Sequence, residues 1–503
     1  MKKAVLRTDK YFKIDKVDER VFGSFLEHMG RAVYEGVYQP GNKFADENGI
    51  RLDTAALVKE LGVTTVRYPG GNIVSAYNWE DGVGPKELRP VRLEAAWQNL
   101  EDNSFGTNEF MDWSKMTNTI PMMAVNLGTR GVEDAMHLLE YCNFPGGTYY
   151  SDLRKKHGYE KPHNVKLWCL GNEMDGPWQI GHRNAHEYGT LAAQTAKVMK
   201  DIDPSIELAA CGSAGLKLPT FGEWDATVAN RCFRYIDYLS MHTYYNNHNY
   251  TLDDTRDFLG HALTFDQQIH SVIAACDYAS AVNKSKKRIN LSIDEWNVVY
   301  RPHGKVPPDA RWTKAPHQIE DVYNLEDALL VGTMFLTMLN HADRVKIGCL
   351  AQLVNVIAPI MTSDTAAWKQ TIFYPYKHCS AYGRGTALYQ VMECEKYDSK
   401  NHTDIPYLAS SVIYNEEEDQ ITIFVVNRDL DDDSSLEVDL RQFADYKLDR
   451  HIVLNHEDIK AVNTEENPDN VTEQIKNDNS KFQDGKLTSV IEKHSWNVIV
   501  LKK

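Results

Sequence analysis

At 503 residues the chain exceeds one ordinary hydrophobic core, so a large domain with a smaller companion is expected, and 42% hydrophobic with 10% aromatic content argues against disorder. A net charge of -16 and a sequence pI near 5.6 repel nucleic-acid phosphates and anionic lipid, leaving a neutral ligand as the better fit. No run reaches membrane-spanning length, and the opening Met1 to Asp9 has lysines but no sustained apolar stretch, so a soluble cytoplasmic protein is expected.

From the N-terminus, a strand-like stretch at 3–14 precedes eight apolar runs at 21–27, 64–68, 121–127, 165–170, 206–211, 236–242, 289–293 and 345–353. Helical patterning falls between them, at 51–61, 133–141, 187–199, 265–282 and 322–341. Within 187–199, Tyr188, Leu191, Ala192, Thr195 and Met199 share one face. Strands and helices in eightfold alternation predict a (β/α)8 barrel with inserted loops, with an open doubly wound sheet as the lesser option.

After about Arg384 the pattern changes to short alternating runs at 408–414, 421–427, 435–440, 451–455 and 498–502, separated by acidic turns. That is a β-sandwich pattern. Chain ends often lie close together, so the first stretch is expected to join it. The expected division is 1–16 as an N-terminal strand joining the sandwich, 17–384 as the catalytic barrel and 385–503 as the C-terminal sandwich.

Two carboxylate motifs each follow an apolar run: Gly171-Asn172-Glu173 after the fourth and Asp294-Glu295-Trp296 after the seventh. The C-terminal ends of barrel strands form the active face, so both glutamates are expected there. Two carboxyls about 5 to 5.5 Å apart suit retaining glycoside hydrolysis, one as nucleophile and one as general acid and then base. Trp178 offers an apolar wall beside Glu173, which makes Glu173 the acid/base and Glu295 the nucleophile, although spacing alone fixes no order. Strict alternation groups Glu295 with Ile289, Leu291 and Ile293, and a bulge would re-aim it. Asn172 suits a sugar hydroxyl or a turn, and Gly70-Gly71 suits close approach of a ligand or a turn. Trp97, Trp178, Tyr244 and Trp296 are candidates for stacking on a sugar face or for the core. His242 is as readily structural as functional.

Metal and nucleotide motifs are missing: the sequence has no His-Glu-x-x-His, Gly-x-x-x-x-Gly-Lys-Ser/Thr, Gly-x-Gly-x-x-Gly or Gly-x-Ser-x-Gly. No cofactor and no metal are expected. The eight cysteines lack Cys-x-x-Cys spacing and read as reduced core thiols.

Five segments together resemble family 51 of the glycoside hydrolases, the intracellular α-L-arabinofuranosidases: Gly23 to His28, Arg67 to Asn72, Trp168 to Trp178, Met241 to Tyr245 and Asp294 to Asn297. The resemblance implies a barrel with a C-terminal sandwich, often assembled as a hexamer. It implies a retaining, exo-acting enzyme that releases terminal α-L-arabinofuranose from arabinan, arabinoxylan or their oligosaccharides. It also implies Glu173 as acid/base, Glu295 as nucleophile, and Glu27, Asn72, Asn172, Tyr244 and Gln352 around the arabinofuranose, with Trp97 facing the next sugar. The rival readings are a β-xylosidase or endoglucanase on the same scaffold and a non-catalytic binder of arabino-oligosaccharides.

Overall fold

A computed structural model describes residues 1–249, 251–300, 306 and 308–503. Eight parallel strands close into a barrel in chain order: Gly23–Phe25, Thr65–Tyr68, Ile120–Ala124, Leu167–Leu170, Glu207–Ala210, Tyr238–Tyr245, Asn290–Val298 and Val345–Ala351. The eighth pairs back to the first through Cys349 opposite Gly23, which leaves no open edge. Each expected run holds one barrel strand, though the first shrinks to three residues because Glu19–Phe22 winds as a 3-10 turn.

The helices follow from capping and periodicity. In Ala185–Ile202 the Asn184 side chain accepts from the Glu187 amide, and Tyr188, Ala192, Thr195, Ala196 and Met199 are buried at helical spacing. The expected helices are present, as Leu52–Leu61, Val132–Asn143, Ala185–Ile202, His261–Val282 and Leu325–Asn340. Thr107–Thr117, Tyr149–Lys156, Glu223–Cys232 and Phe373–Tyr382 also wind as helices, without an expected counterpart. All eight cysteines are free and seven are buried.

The C-terminal strands form one ten-stranded sheet that includes Lys2–Lys16, paired antiparallel with Thr386–Glu393 and parallel with Ser434–Asp439. Strands far apart in the sheet order share a core: Leu487 and Ile491 cluster with Ile421, Ile423, Ile499 and Leu501. The sheet therefore folds over on itself. Along Ser495–Lys502, Ile499 and Leu501 face that core while Trp496, Val498 and Val500 face the barrel's, the alternation a strand imposes.

Between the two units lies Leu325–Asn340, buried at every residue from Leu325 to Leu339. Burial from both sides explains why it is apolar all round. Closest approach occurs at Gly332, where a Cβ would come within 2.7 Å of the Trp496 ring and 3.3 Å of Pro375 Cβ. We expect Gly332→Ala to lower stability by about 1–3 kcal/mol in thermal or denaturant unfolding, the range for overpacking. Gly215→Ala, where a Cβ meets nothing within 4 Å, is the comparison and should change stability by less than about 0.5 kcal/mol.

Candidate active site

The fourth and seventh strands deliver the two glutamates by different backbone devices. After Leu167–Leu170 the chain turns through left-handed conformations at Gly171 (φ 90°) and Glu173 (φ 44°). Such strain in a non-glycine residue persists only where the surroundings hold it. In the seventh strand Ser292 pairs with Ser240, yet Glu295 pairs with His242, so three steps oppose two. This bulge resolves the alternation problem: Asp294 and Glu295, though consecutive, both meet partners in the barrel mouth. The next residue is thereby turned away. Trp296 is fully buried edge-on against Phe335 at 4.7 Å, so it is a core residue and not a sugar platform.

An oxygen of Glu173, an oxygen of Glu295 and a ring nitrogen of His242 lie within 4.8 Å of one another. His242 Nδ1 is 2.8 Å from Glu173 Oε1 and 3.5 Å from Glu295 Oε2, while its Nε2 is 2.9 Å from Asp294 Oδ1. Trp178 donates its indole N–H to the other Glu173 oxygen at 2.6 Å. This half-exposed Trp178 is thus a donor as well as the apolar wall expected of it. Arg67, buried on the second strand, donates to Glu295 Oε1 at 2.7 Å and to Asn172 Oδ1 at 2.6 Å. Tyr244 donates to Glu295 Oε2 at 2.8 Å.

Charge placement sets the protonation. Burial pushes His242 toward neutrality, but Glu295, Asp294 and Glu173 outweigh it and hold the imidazole well above its ordinary range. Burial likewise works against Asp294, yet Arg67 and His242 keep its carboxyl lowered. Burial raises Glu295 above the ordinary carboxyl value, with His242 and Arg67 pulling the other way.

Glu27, just past the first strand, accepts on Oε1 from the Ile73 amide at 3.0 Å and the Trp97 indole at 2.8 Å. Its own amide donates to Gln352 Oε1 at 3.0 Å. At Gly71 a Cβ would lie 2.4 Å from Glu27 Oε2, so the group that closely approaches this glycine is the Glu27 carboxyl. Asn72 follows, its side-chain oxygen accepting from Asn172 at 3.1 Å. Trp97 rides on a hairpin of Arg92–Glu94 and Asn99–Glu101, whose Glu101 bonds His28 at 2.7 Å, with His28 in turn 2.7 Å from the Tyr68 hydroxyl. Of the residues proposed for the site, Glu173, Glu295, Tyr244, Asn172 and Asn72 are joined through Arg67 and His242, while Glu27, Trp97 and Gln352 form a second set that meets the first where residues 71–73 pack on Glu27.

The sequence motifs point to Asp294 and leave His242 open, whereas Arg67 enters the site through the structure. A charged residue inside the apolar run 64–68 was a readable signal, because a buried guanidinium requires carboxylate partners. Nothing in the sequence indicated which partners.

Burial pushes the Glu27 carboxyl from its ordinary 4.5 up to about 8, with the nearby Glu295 charge adding to it. An acid raised by folding contributes stability that is complete below pH 4.5 and is lost as pH climbs through about 8. Glu27→Gln keeps a carbonyl acceptor for Trp97 and Ile73 but cannot ionise. We expect the wild type to lose unfolding free energy relative to this variant across that window, measured by denaturant melts at several pH values. Parallel curves would mean that Glu27 is ionised in the fold.

Family models describing an α-L-arabinofuranosidase 1 domain and an α-L-arabinofuranosidase C-terminal domain match residues 57–268 and 294–495. The chain is 55% identical over 504 residues, all of both chains, to an intracellular exo-α-(1→5)-L-arabinofuranosidase 1 of Bacillus subtilis. A solved family 51 α-L-arabinofuranosidase from Bifidobacterium longum superposes with a TM-score of 0.95 at 39% identity, covering 99% of each chain. The arabinose complex of an α-L-arabinofuranosidase from Thermotoga maritima gives 0.89 at 30% identity, again over 99% of each. With relatives this similar over their whole length, the chain belongs to the family 51 α-L-arabinofuranosidases.

Proposed function

We propose that the protein is a retaining, exo-acting α-L-arabinofuranosidase that removes terminal α-L-arabinofuranose from arabinan, arabinoxylan and their oligosaccharides. One observation carries the mechanism: carboxyl oxygens of Glu173 and Glu295 lie within 4.8 Å of each other. Retaining enzymes keep their carboxyls about 5–5.5 Å apart, whereas inverting ones need about 6.5–9.5 Å to seat a water.

Glu295 is the nucleophile in this reading. Donors from Arg67 and Tyr244 fix its carboxylate orientation and favour the charged form that attacks the anomeric carbon. Glu173 is the acid/base: it protonates the departing glycosidic oxygen, then takes a proton from the water that cleaves the glycosyl-enzyme ester. His242 touches Glu173 through Nδ1, so a proton can pass between them as the charge on Glu295 is consumed. Glu27, with Asn72, Asn172, Tyr244 and Gln352, holds the furanose ring, and a protonated Glu27 can donate to a sugar hydroxyl. Trp97 faces the next sugar.

Relatives named as intracellular exo-α-(1→5)-L-arabinofuranosidases support action inside the cell and make α-1,5-linked arabino-oligosaccharides the first substrates to try. Among the described residues no helix is long and apolar enough to cross a membrane. Residues 17–384 are proposed as the catalytic unit, with 1–16 and 385–503 as the sheet unit packed against it.

Glu295→Ala should abolish turnover. Glu173→Ala should slow oligosaccharide hydrolysis by about 10²–10⁴-fold, with a smaller loss on nitrophenyl arabinofuranoside and partial rescue by azide. NMR of the first product should show the retained anomer; the inverted anomer would overturn double displacement. Higher efficiency on nitrophenyl xyloside than on the arabinofuranoside would overturn the substrate assignment, and binding without release would make the chain a lectin-like protein.

A homo-oligomer, a hexamer by family resemblance, is part of the same proposal. Tyr11, Phe12, Tyr389 and Val391 are exposed on adjoining strands of the sheet and would suit burial against another copy. Light scattering on a sizing column should give about six chains per particle, the closed symmetry expected of such assemblies.

A further inference from the structure

Besides the triad in the barrel mouth, one other group of metal-ligating side chains converges among the described residues: Asp266, His270 and His341. Asp266 and His270 sit one turn apart on the helix His261–Val282, and His341 follows the last residue of Leu325–Asn340. One ligand atom from each lies within 4.8 Å of the others. His341 Nε2 is 2.7 Å from Asp266 Oδ1, and His270 Nε2 is 3.7 Å from Asp266 Oδ2. The two rings stand edge-on, 4.7 Å between centroids.

The shorter distance is a hydrogen bond that ties the helices together. The longer one is beyond hydrogen-bond range, so that tie does not explain why His270 aims the same nitrogen at the same carboxylate. A tetrahedral zinc ion with bonds of about 2.0–2.1 Å holds neighbouring ligands about 3.4 Å apart, and the two observed distances straddle that value. Side-chain exposure grades from 12% at His341 through 46% at Asp266 to 65% at His270. The cluster is thus anchored at its base and open above, where water can complete the coordination. Two imidazoles and one carboxylate are the donor set of zinc rather than of calcium or magnesium, which take oxygen ligands. Among the described residues Asp266 pairs with these two imidazoles and with no lysine or arginine. In the barrel mouth, by contrast, the Arg67 guanidinium already lies 2.7 Å from Glu295.

We propose that Asp266, His270 and His341 form a zinc-binding site that staples the His261–Val282 helix to the end of Leu325–Asn340. It stands apart from the catalytic reading, and no step of hydrolysis passes through it. Calorimetric titration of the full chain with zinc chloride tests it. The wild type should show one saturable site and a higher melting temperature with zinc. His270→Ala, at an exposed position that folding does not depend on, should weaken zinc affinity at least about tenfold, in line with what lesser changes around a metal produce. Its turnover of nitrophenyl arabinofuranoside without metal should match the wild type. Glu295→Gln, which alters the mouth triad, should keep the zinc site. The proposal is overturned by equal affinity in wild type and His270→Ala, by loss of the site in Glu295→Gln alone, or by no saturable binding at all.

Discussion

Three buried carboxyl groups, Glu173, Asp294 and Glu295, converge on two buried basic side chains, Arg67 and His242, and the barrel mouth is organised around those contacts. At an effective dielectric of about 20, unit charges 4 Å apart interact by about 4 kcal/mol, while stripping each ion of water costs several kcal/mol. No member is therefore stable there alone. Arg67 meets Glu295 and Asn172 with separate nitrogens and lies face-on to the Phe25 ring at 4.8 Å, leaving its head little freedom to rotate. His242 reaches the three carboxylates with only two nitrogens, which is possible because Glu173 and Glu295 converge on the same side of its ring.

That convergence dictates the irregularities of the surrounding backbone. Regular strand geometry would send Asp294 and Glu295 to opposite faces, one of them into the packed layer beneath the helices. The bulge after Ser292 brings both to the mouth and sends Trp296 outward, where Phe335 of the central helix receives it. The same helix carries Gly332 against Trp496 of the sheet. Register in the seventh strand, the orientation of the nucleophile candidate and the seating of the sheet on the barrel thus form one mechanical chain.

The architecture was legible because it rests on periodicity. Eight apolar runs gave eight barrel strands, and the change of pattern after Arg384 marked the sheet. Where elements were passed over, as at Thr107–Thr117 or Glu223–Cys232, the segments mix polar residues into the buried face, Asn108 and Asp225 among them, which blurs the apolar stripe. The glutamates were legible through their place after strands. The partners of Asp294 and His242 were not: one stood in a carboxylate motif and the other at the end of a strand, but their role depends on a bulge and on neighbours about 50 to 125 residues away in sequence. The fate of Trp296 was hidden for the same reason. A one-residue change of register decides which of two adjacent side chains reaches the mouth, and composition carries no record of it.

Glu27 shows how the same fold surrounds its carboxyls with different partners. Glu295 and Glu27 are both fully buried, yet Glu295 faces the guanidinium and the imidazole, whereas the donors that reach Glu27 are the neutral Ile73 amide and the Trp97 indole, both on one oxygen. Neutral donors soften a buried charge but do not cancel it, so protonation near neutrality follows for Glu27. On the proposed reading a protonated Glu27 adds a donor to the sugar pocket beside the amides of Asn72, Asn172 and Gln352, so a hydroxyl there can accept as well as give. The Trp97 indole opposes the burial that raises Glu27 by donating to it, and the Glu101 to His28 contact pins the hairpin that carries Trp97 beside the end of the first strand. The donors that reach Glu27 therefore depend in part on a contact remote from the carboxyl itself.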